Sequence, residues 1–176
     1  CDDHMIYKII QTGKSNTLME GQIDHLAHLH CHDLSNFDKI YKEYIPAIKK
    51  HFKIIVTFSV GENIIIDKEF VIIKIPNKGM DIGGKFIIID YLKQNNIKCK
   101  FILMLHSKQD KKRRDMYFEP FFKNLSNIVK TINNINNEVG ICVPNVIHEK
   151  TDNKWGRNTR YVEELLSYLN ITSRDN

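Results

Sequence analysis

Four short, nearly unbroken apolar runs constrain this chain more than any other feature: Phe52–Phe58 (FKIIVTF), Phe70–Ile75 (FVIIKI), Phe101–Leu105 (FILML) and Val139–Val143 (VGICV). A strand with one wet face alternates apolar and polar residues, whereas a strand covered on both faces reads as a continuous apolar run. Between these runs the period changes. Phe37, Ile40, Tyr41, Tyr44, Ile45 and Ile48 recur at helical spacing over residues 36–50, behind Ser35 as N-cap. Asp81 is placed to cap a helix from Ile82 to Asn95, and further helices are expected over Arg114–Thr131 and Thr159–Leu169. Ile23–Cys31 reads as the opening strand. The expected class is therefore α/β, with a mostly parallel sheet, helices on both faces and right-handed crossovers.

Composition narrows the function classes. The 176 residues carry 26 Lys and Arg against 21 Asp and Glu, a net charge of +5, with 42% hydrophobic residues. That balance suits one globular domain and excludes a disordered chain. The small basic excess is spread over the chain, so no nucleic-acid partner is expected. One basic cluster stands out, Lys108, Lys111, Lys112, Arg113 and Arg114, where phosphate groups could be met. Cys1, Cys31, Cys99 and Cys142 form no CxxC pair and read as free thiols of a reducing compartment. No apolar run approaches the ~20 residues needed to cross a bilayer. Residues 1–22 read as a leader or linker and 23–176 as the domain. With Cys1 in first place, the chain is expected to be a fragment of a longer one, incomplete at its C-terminal end.

In open parallel sheets, ligands bind beyond the carboxyl ends of the strands. Here those ends are His30–Asp33, Thr57–Glu62, Asn77–Asp81 and His106–Lys108, polar or charged in every case. Three constellations fall there. His28, His30 and His32 alternate in HLHCHD, which places them on one face of a strand and suits a zinc ion of a metal-dependent hydrolase. The stretch PNKGMDIGGKF (76–86) joins a strand to a helix start whose free N–H groups can hold an anion, with Gly83 and Gly84 allowing close approach to a ligand or to the sheet. It lacks the Walker and dinucleotide patterns. In LMLHSK (103–108) a strand delivers His106, Ser107 and Lys108 to the same edge.

Taken together these segments resemble the rhamnan synthesis protein F family of glycosyltransferase-like proteins, over most of residues 23–171. The family's Asn-Arg-Gly-Arg-Asp-Ile motif is matched by Asn77-Lys78-Gly79-Met80-Asp81-Ile82, and its His-Ser-Lys strand end by His106-Ser107-Lys108. IDHLAHLHCHDL, IIVTFS, Gly140 to Pro144 and Gly156-Arg157-Asn158 are weaker matches. The resemblance implies a GT-A-like, Rossmann-related fold. It also implies transfer of rhamnose or another hexose from a nucleoside-diphosphate donor to a polysaccharide or glycan acceptor. It places Thr57, Asn77, Lys78, Gly79, Asp81, His106, Ser107 and Lys108 at the donor, with His106 and Asp81 as catalytic candidates. His-Ser-Lys would stand where many GT-A enzymes carry a metal-binding Asp-x-Asp, so positive charge would come from the protein; Mn²⁺ or Mg²⁺, if used, would draw on Asp110 or Asp115. Met80 replaces the second basic residue of the motif. The implied location is cytoplasmic, or peripheral to a membrane, beside further domains of the same chain. A non-catalytic, glycan- or partner-binding descendant of such a domain, and the zinc hydrolase, are the alternatives.

Overall fold

The computed structural model describes residues 7–12, 22–34, 37–61, 70–77, 80–108 and 110–134, all within one compact unit, Cys1–Pro144. They form five strands and five helices: β1 (Lys8–Thr12), β2 (Gln22–Asp33), α1 (Phe37–Glu43), α2 (Ile45–Lys49), β3 (Lys53–Val60), β4 (Val71–Lys74), α3 (Met80–Gln94), β5 (Lys98–His106), α4 (Lys111–Phe122) and α5 (Leu125–Asn134). The expected strand over 139–143 and helix over 159–169 lie outside the described residues, as do the Gly140–Pro144 and Gly156–Asn158 matches.

The sheet has the order β1-β4-β3-β2-β5. The pairs β2·β3, β2·β5 and β3·β4 are parallel; β1 alone is antiparallel, along β4. The segment read as leader or linker holds β1, which closes the edge that β4 would otherwise present. Counted in chain order, the four parallel strands run 3-2-1-4. From β2 the chain moves outward to β3 and β4, then returns to place β5 on the other side of β2. The order therefore reverses between β2 and β5.

Two buried clusters cover the two faces. On one, Ile40, Ile45 and Ile48 of α1 and α2, with Phe118 of α4 and Leu125 of α5, pack on Ala27, Leu29, Ile54, Val56, Phe58 and Ile72. On the other, Ile87, Ile88, Tyr91 and Leu92 of α3 pack on Leu26, Ile55, Val71 and Ile73. The helices joining β2 to β3 and β4 to β5 lie on opposite faces and travel in opposite directions, as crossovers of one hand require.

Two helices expected as continuous are each broken near a proline. Residues 36–50 split at Tyr44 (φ −120°), with Pro46 in the first turn of α2. The helix over 114–131 splits at Lys123–Asn124, shortly after Pro120. Proline has no N–H to donate and crowds the preceding turn, so it is comfortable at a helix start, as Pro46 is in α2; Pro120 lies inside α4, whose preceding turn is unbroken, and does not account for the split that follows it. At the far end of α3, Asn96 adopts φ 52°, with Asn96 N–H donating to Lys93 O (3.2 Å) and Ile97 N–H to Leu92 O (2.8 Å). That is a Schellman closure with Asn96 in the left-handed position.

Candidate functional site

Register decides which strand-end residues meet. His30 of β2 lies opposite Thr57 of β3 and His106 of β5, and Thr57 lies opposite Ile73 of β4. Residues directly paired in a parallel sheet point to the same face, so this row faces α3. Cys31 falls on the opposite face, and Ser107, next along β5 from His106, reaches it there.

The row is more buried than its sequence suggests. His28 and Thr57 are wholly buried and His30 is 4% exposed. His28 Nε2 and His30 Nδ1 each lie 2.9 Å from Thr57 Oγ1. Burial holds His28 down to a pKa of about 3, and the nearby His30 and Lys85 further oppose its proton. Helix α3 closes over the group at Gly84. A Cβ there would stand 2.7 Å from His30 Nδ1, 2.9 Å from His30 Cγ and 3.0 Å from Thr57 Oγ1. The glycine thus serves approach to the sheet, one of the two uses open to it from sequence. Thr57, expected at the donor, instead has its hydroxyl taken by two imidazoles beneath a helix.

The same geometry bears on the HLHCHD cluster. Two of its rings turn to one hydroxyl, and His32 is exposed beyond them. Among the described residues no three His, Cys, Asp or Glu side chains are grouped to hold a metal ion.

Beyond this layer lies the mouth. His106, Ser107 and Lys108 are half-buried at the end of β5, and Ser107 N–H donates to His30 O (2.8 Å), which ties β5 to β2 at the point of reversal. The Ser107 side chain hydrogen-bonds Cys31, whose thiol burial pushes up to about 12 despite that bond. The His106 ring sits 6.2 Å from that of Tyr117. Asp33 is half-buried beside Gly61, where the chain leaves β3 at φ +110°; a Cβ there would meet Leu34 Cβ at 3.3 Å, so both the turn and the approach need glycine. Asn77 is exposed after β4. Lys78 and Gly79 lie outside the described residues. Asp81 falls within the first turn of α3, which begins at Met80, rather than preceding the helix as its cap. It comes three residues before Gly84, about 5 Å along the helix. The α3 backbone thereby brings the second half of the NKGMDI motif towards the His30–Thr57 row.

The basic cluster divides. The side chain of Asp110 caps α4 by accepting from Arg113 N–H (2.7 Å). Lys111 pairs with Asp115 at 2.6 Å, which raises the pKa of Lys111 and lowers that of Asp115. Asp115 also accepts from Tyr44 Oη–H (2.9 Å), and burial first, then this bond, pushes the Tyr44 phenol up to about 12. Arg114 is drawn inside, 4% exposed, with Nη2 3.7 Å from Glu43 Oε2 and Nε 4.0 Å from Asp115 Oδ1, an ion-pair distance at which Nε makes no hydrogen bond among the described residues. Lys112 and Arg113 are exposed. Arg114 and Asp115 thus brace α4 against the α1–α2 junction, with Lys111 paired to Asp115 along the helix, a role that a run of basic residues does not signal. No helix among the described residues is long and apolar enough to cross a membrane. Compared with family models, curated proteins and solved structures, the chain finds no match.

Proposed function

We propose that this domain binds a nucleoside-diphosphate sugar across the carboxyl ends of β2, β4 and β5 and transfers the sugar to a glycan acceptor, as the resemblance to rhamnan synthesis protein F implies. The observation that carries the reading is the reversal of strand order between β2 and β5. Such reversals open a crevice at the strand ends, where doubly wound sheets take their nucleotide ligands. Here the crevice is flanked by His106 and Lys108, by Asp33, and by the start of α4 with Lys112 and Arg113 on its surface. The first turn of α3, carrying Asp81, approaches from the other side.

The chemistry fits a diphosphate. Lys108 and the free N–H groups at a helix start favour negative charge. In His106-Ser107-Lys108 the hydroxyl is engaged with Cys31, and the imidazole and ammonium that remain are suited to meeting phosphate oxygens directly more than to enclosing Mn²⁺ or Mg²⁺. Transfer needs a base for the acceptor hydroxyl; Asp81 and His106 are the residues of this chain proposed to serve it. Thr57 is withdrawn from the donor contacts and assigned to the layer beneath.

Thermal shift against UDP, GDP, dTDP and their sugars, with and without Mn²⁺, tests the reading. A ligand at 100 times its dissociation constant stabilises by about 2.7 kcal/mol. One nucleotide class is expected to shift the melting point, and Asp81→Ala or His106→Ala to abolish that shift without unfolding the domain. The absence of any shift, or normal affinity in both variants, would overturn the proposal.

A further inference from the structure

The group under Gly84 has an order that hydrogen-bond distances alone do not state. Thr57 has one hydroxyl proton, and two ring nitrogens, His28 Nε2 and His30 Nδ1, approach its oxygen at 2.9 Å. In one order His28 Nε2–H donates to Thr57 Oγ1 and the Thr57 hydroxyl donates to His30 Nδ1. In the reverse order His30 Nδ1–H donates, the hydroxyl turns to His28 Nε2, and His28 must carry its proton on Nδ1. A third arrangement, with both rings donating, leaves the hydroxyl proton no ring acceptor.

The missing acceptor counts against the third, and the other nitrogen of His28 decides between the first two. His28 Nδ1 is buried and has no hydrogen-bond partner among the described residues. Buried N–H groups without an acceptor are the rarest orphans in folded proteins, while an under-used lone pair is better tolerated. A proton on Nδ1 would create such an N–H; a proton on Nε2 would not. The ring is neutral, since burial opposes its charge and both charged or titratable neighbours acting on it, His30 from β2 and Lys85 from α3, add to that opposition.

We infer that His28 and Thr57 are positioning residues that lock His30 in the tautomer with its proton on Nε2 and its Nδ1 lone pair occupied. A ring so held has no lone pair left. At the point where the strand order reverses, His30 is then a hydrogen-bond donor, unable to act as a general base or as a metal ligand without dismantling the relay. Resting on the diphosphate reading, this makes His30 a framework donor behind the site and leaves the base to His106 or Asp81. The tautomer itself does not depend on which ligand binds.

The test is long-range ¹H–¹⁵N correlation NMR on the ¹⁵N-labelled full chain at neutral pH, which reports which ring nitrogen carries the proton. Both His28 and His30 are expected as Nε2–H tautomers. Thr57→Ser should keep both patterns. Thr57→Val, which removes the hydroxyl, should release His30 into a mixture of tautomers or to Nδ1–H. A wild-type His30 protonated on Nδ1, or a His28 protonated there, overturns the inference, as does an unchanged His30 pattern in Thr57→Val. If that variant does not fold, the wild-type and Thr57→Ser spectra still decide. A correct tautomer in a chain that binds no nucleotide would refute the proposed function alone; a wrong tautomer in a chain that binds one would refute the relay alone.

Discussion

Replacing Gly84 with alanine sets two well-measured effects against each other. In a helix interior alanine is favoured over glycine by about 1 kcal/mol, so helix propensity alone expects a more stable protein. Packing expects the opposite. The new Cβ would stand 2.7 Å from His30 Nδ1 and 2.9 Å from His30 Cγ. Ordinary contact needs roughly half an ångström more, and neither the ring nor the helix backbone is a flexible end that can swing aside. Overpacking of this kind costs about 1–3 kcal/mol. Moving the ring also breaks its bond to Thr57, and a buried group left unpaired costs a further ~1–3 kcal/mol. With the propensity gain subtracted, the net loss is about 3 kcal/mol. For a chain of this length that lowers the melting temperature by roughly 6–12 °C. Urea unfolding should show a lower midpoint with an unchanged slope. The same substitution in a His30→Ala background should lose most of that cost, since the two closest atoms it strikes are gone and only Thr57 Oγ1 at 3.0 Å remains. A Gly84→Ala protein as stable as the wild type, or more so, would refute the account of α3 seated on the imidazoles.

Three further outcomes are expected. His28 has a folded pKa of about 3 against an ordinary 6.5, so its contribution to stability is full above pH 6.5 and is lost as pH falls towards 3. At pH 5 the loss is about 2 kcal/mol, and His28→Gln, which cannot titrate, should flatten the melting-temperature profile between pH 6.5 and 4. Asn96→Ala puts a side chain without local hydrogen bonding at φ 52° and should destabilise by about 1 kcal/mol, read by chemical denaturation, whereas Asn96→Gly should not. Asp110→Ala removes the acceptor for Arg113 N–H and should also lose about 1 kcal/mol, without altering the Tyr44–Asp115 contact as followed by tyrosine absorbance at high pH.

The parallel sheet was legible because a strand covered on both faces must be apolar throughout, and FKIIVTF, FVIIKI and FILML satisfy that condition without local ambiguity. The short edge strand KIIQT was not legible. It has one strand neighbour, and its identity as a strand comes from the β4 edge it pairs with, not from its own pattern. The first helix break was readable in principle, since Pro46 stands in the sequence, but the apolar stripe through Phe37–Ile48 masked it; the second follows Pro120, which lies within α4, and no residue pattern marks it. The choice of candidate site rested on topology, because polar residues stand at every strand end. What each of them does there did not follow. HLH on a strand with a single Thr in a neighbouring apolar strand is a signal for a buried hydroxyl between two rings, but only register makes them neighbours. Whether Gly84 admits a ligand or the sheet depends on the height of α3 above that row, which no local pattern encodes.

Register also sorts the strand-end residues into two kinds, and the sorting has consequences. On β2 the even positions His28 and His30 face α3 and are consumed by Thr57, while the odd position Cys31 faces the α1–α2 side and takes the Ser107 hydroxyl. On each face the polar groups just below the mouth thus bond to one another, His30 with Thr57 and Cys31 with Ser107. In the proposed reading, chemistry directed at a ligand comes from what lies beyond: Asp33, Asn77, His106, Lys108 and the first turns of α3 and α4. Substitutions should divide accordingly. Ser107→Ala, Thr57→Val and Gly84→Ala remove or crowd partners of buried groups and should lower stability, by ~1 kcal/mol for the first and by more for the others. His106→Ala and Lys108→Ala act on half-buried side chains at the rim and should change stability by less than about 1 kcal/mol. A nucleotide-dependent thermal shift should then be lost in the rim variants and kept, on a lower baseline, in Ser107→Ala. If instead His106→Ala melts as early as Thr57→Val, His106 belongs to the buried framework, and the rim is reduced to Asp33, Asn77, Lys108 and the helix starts.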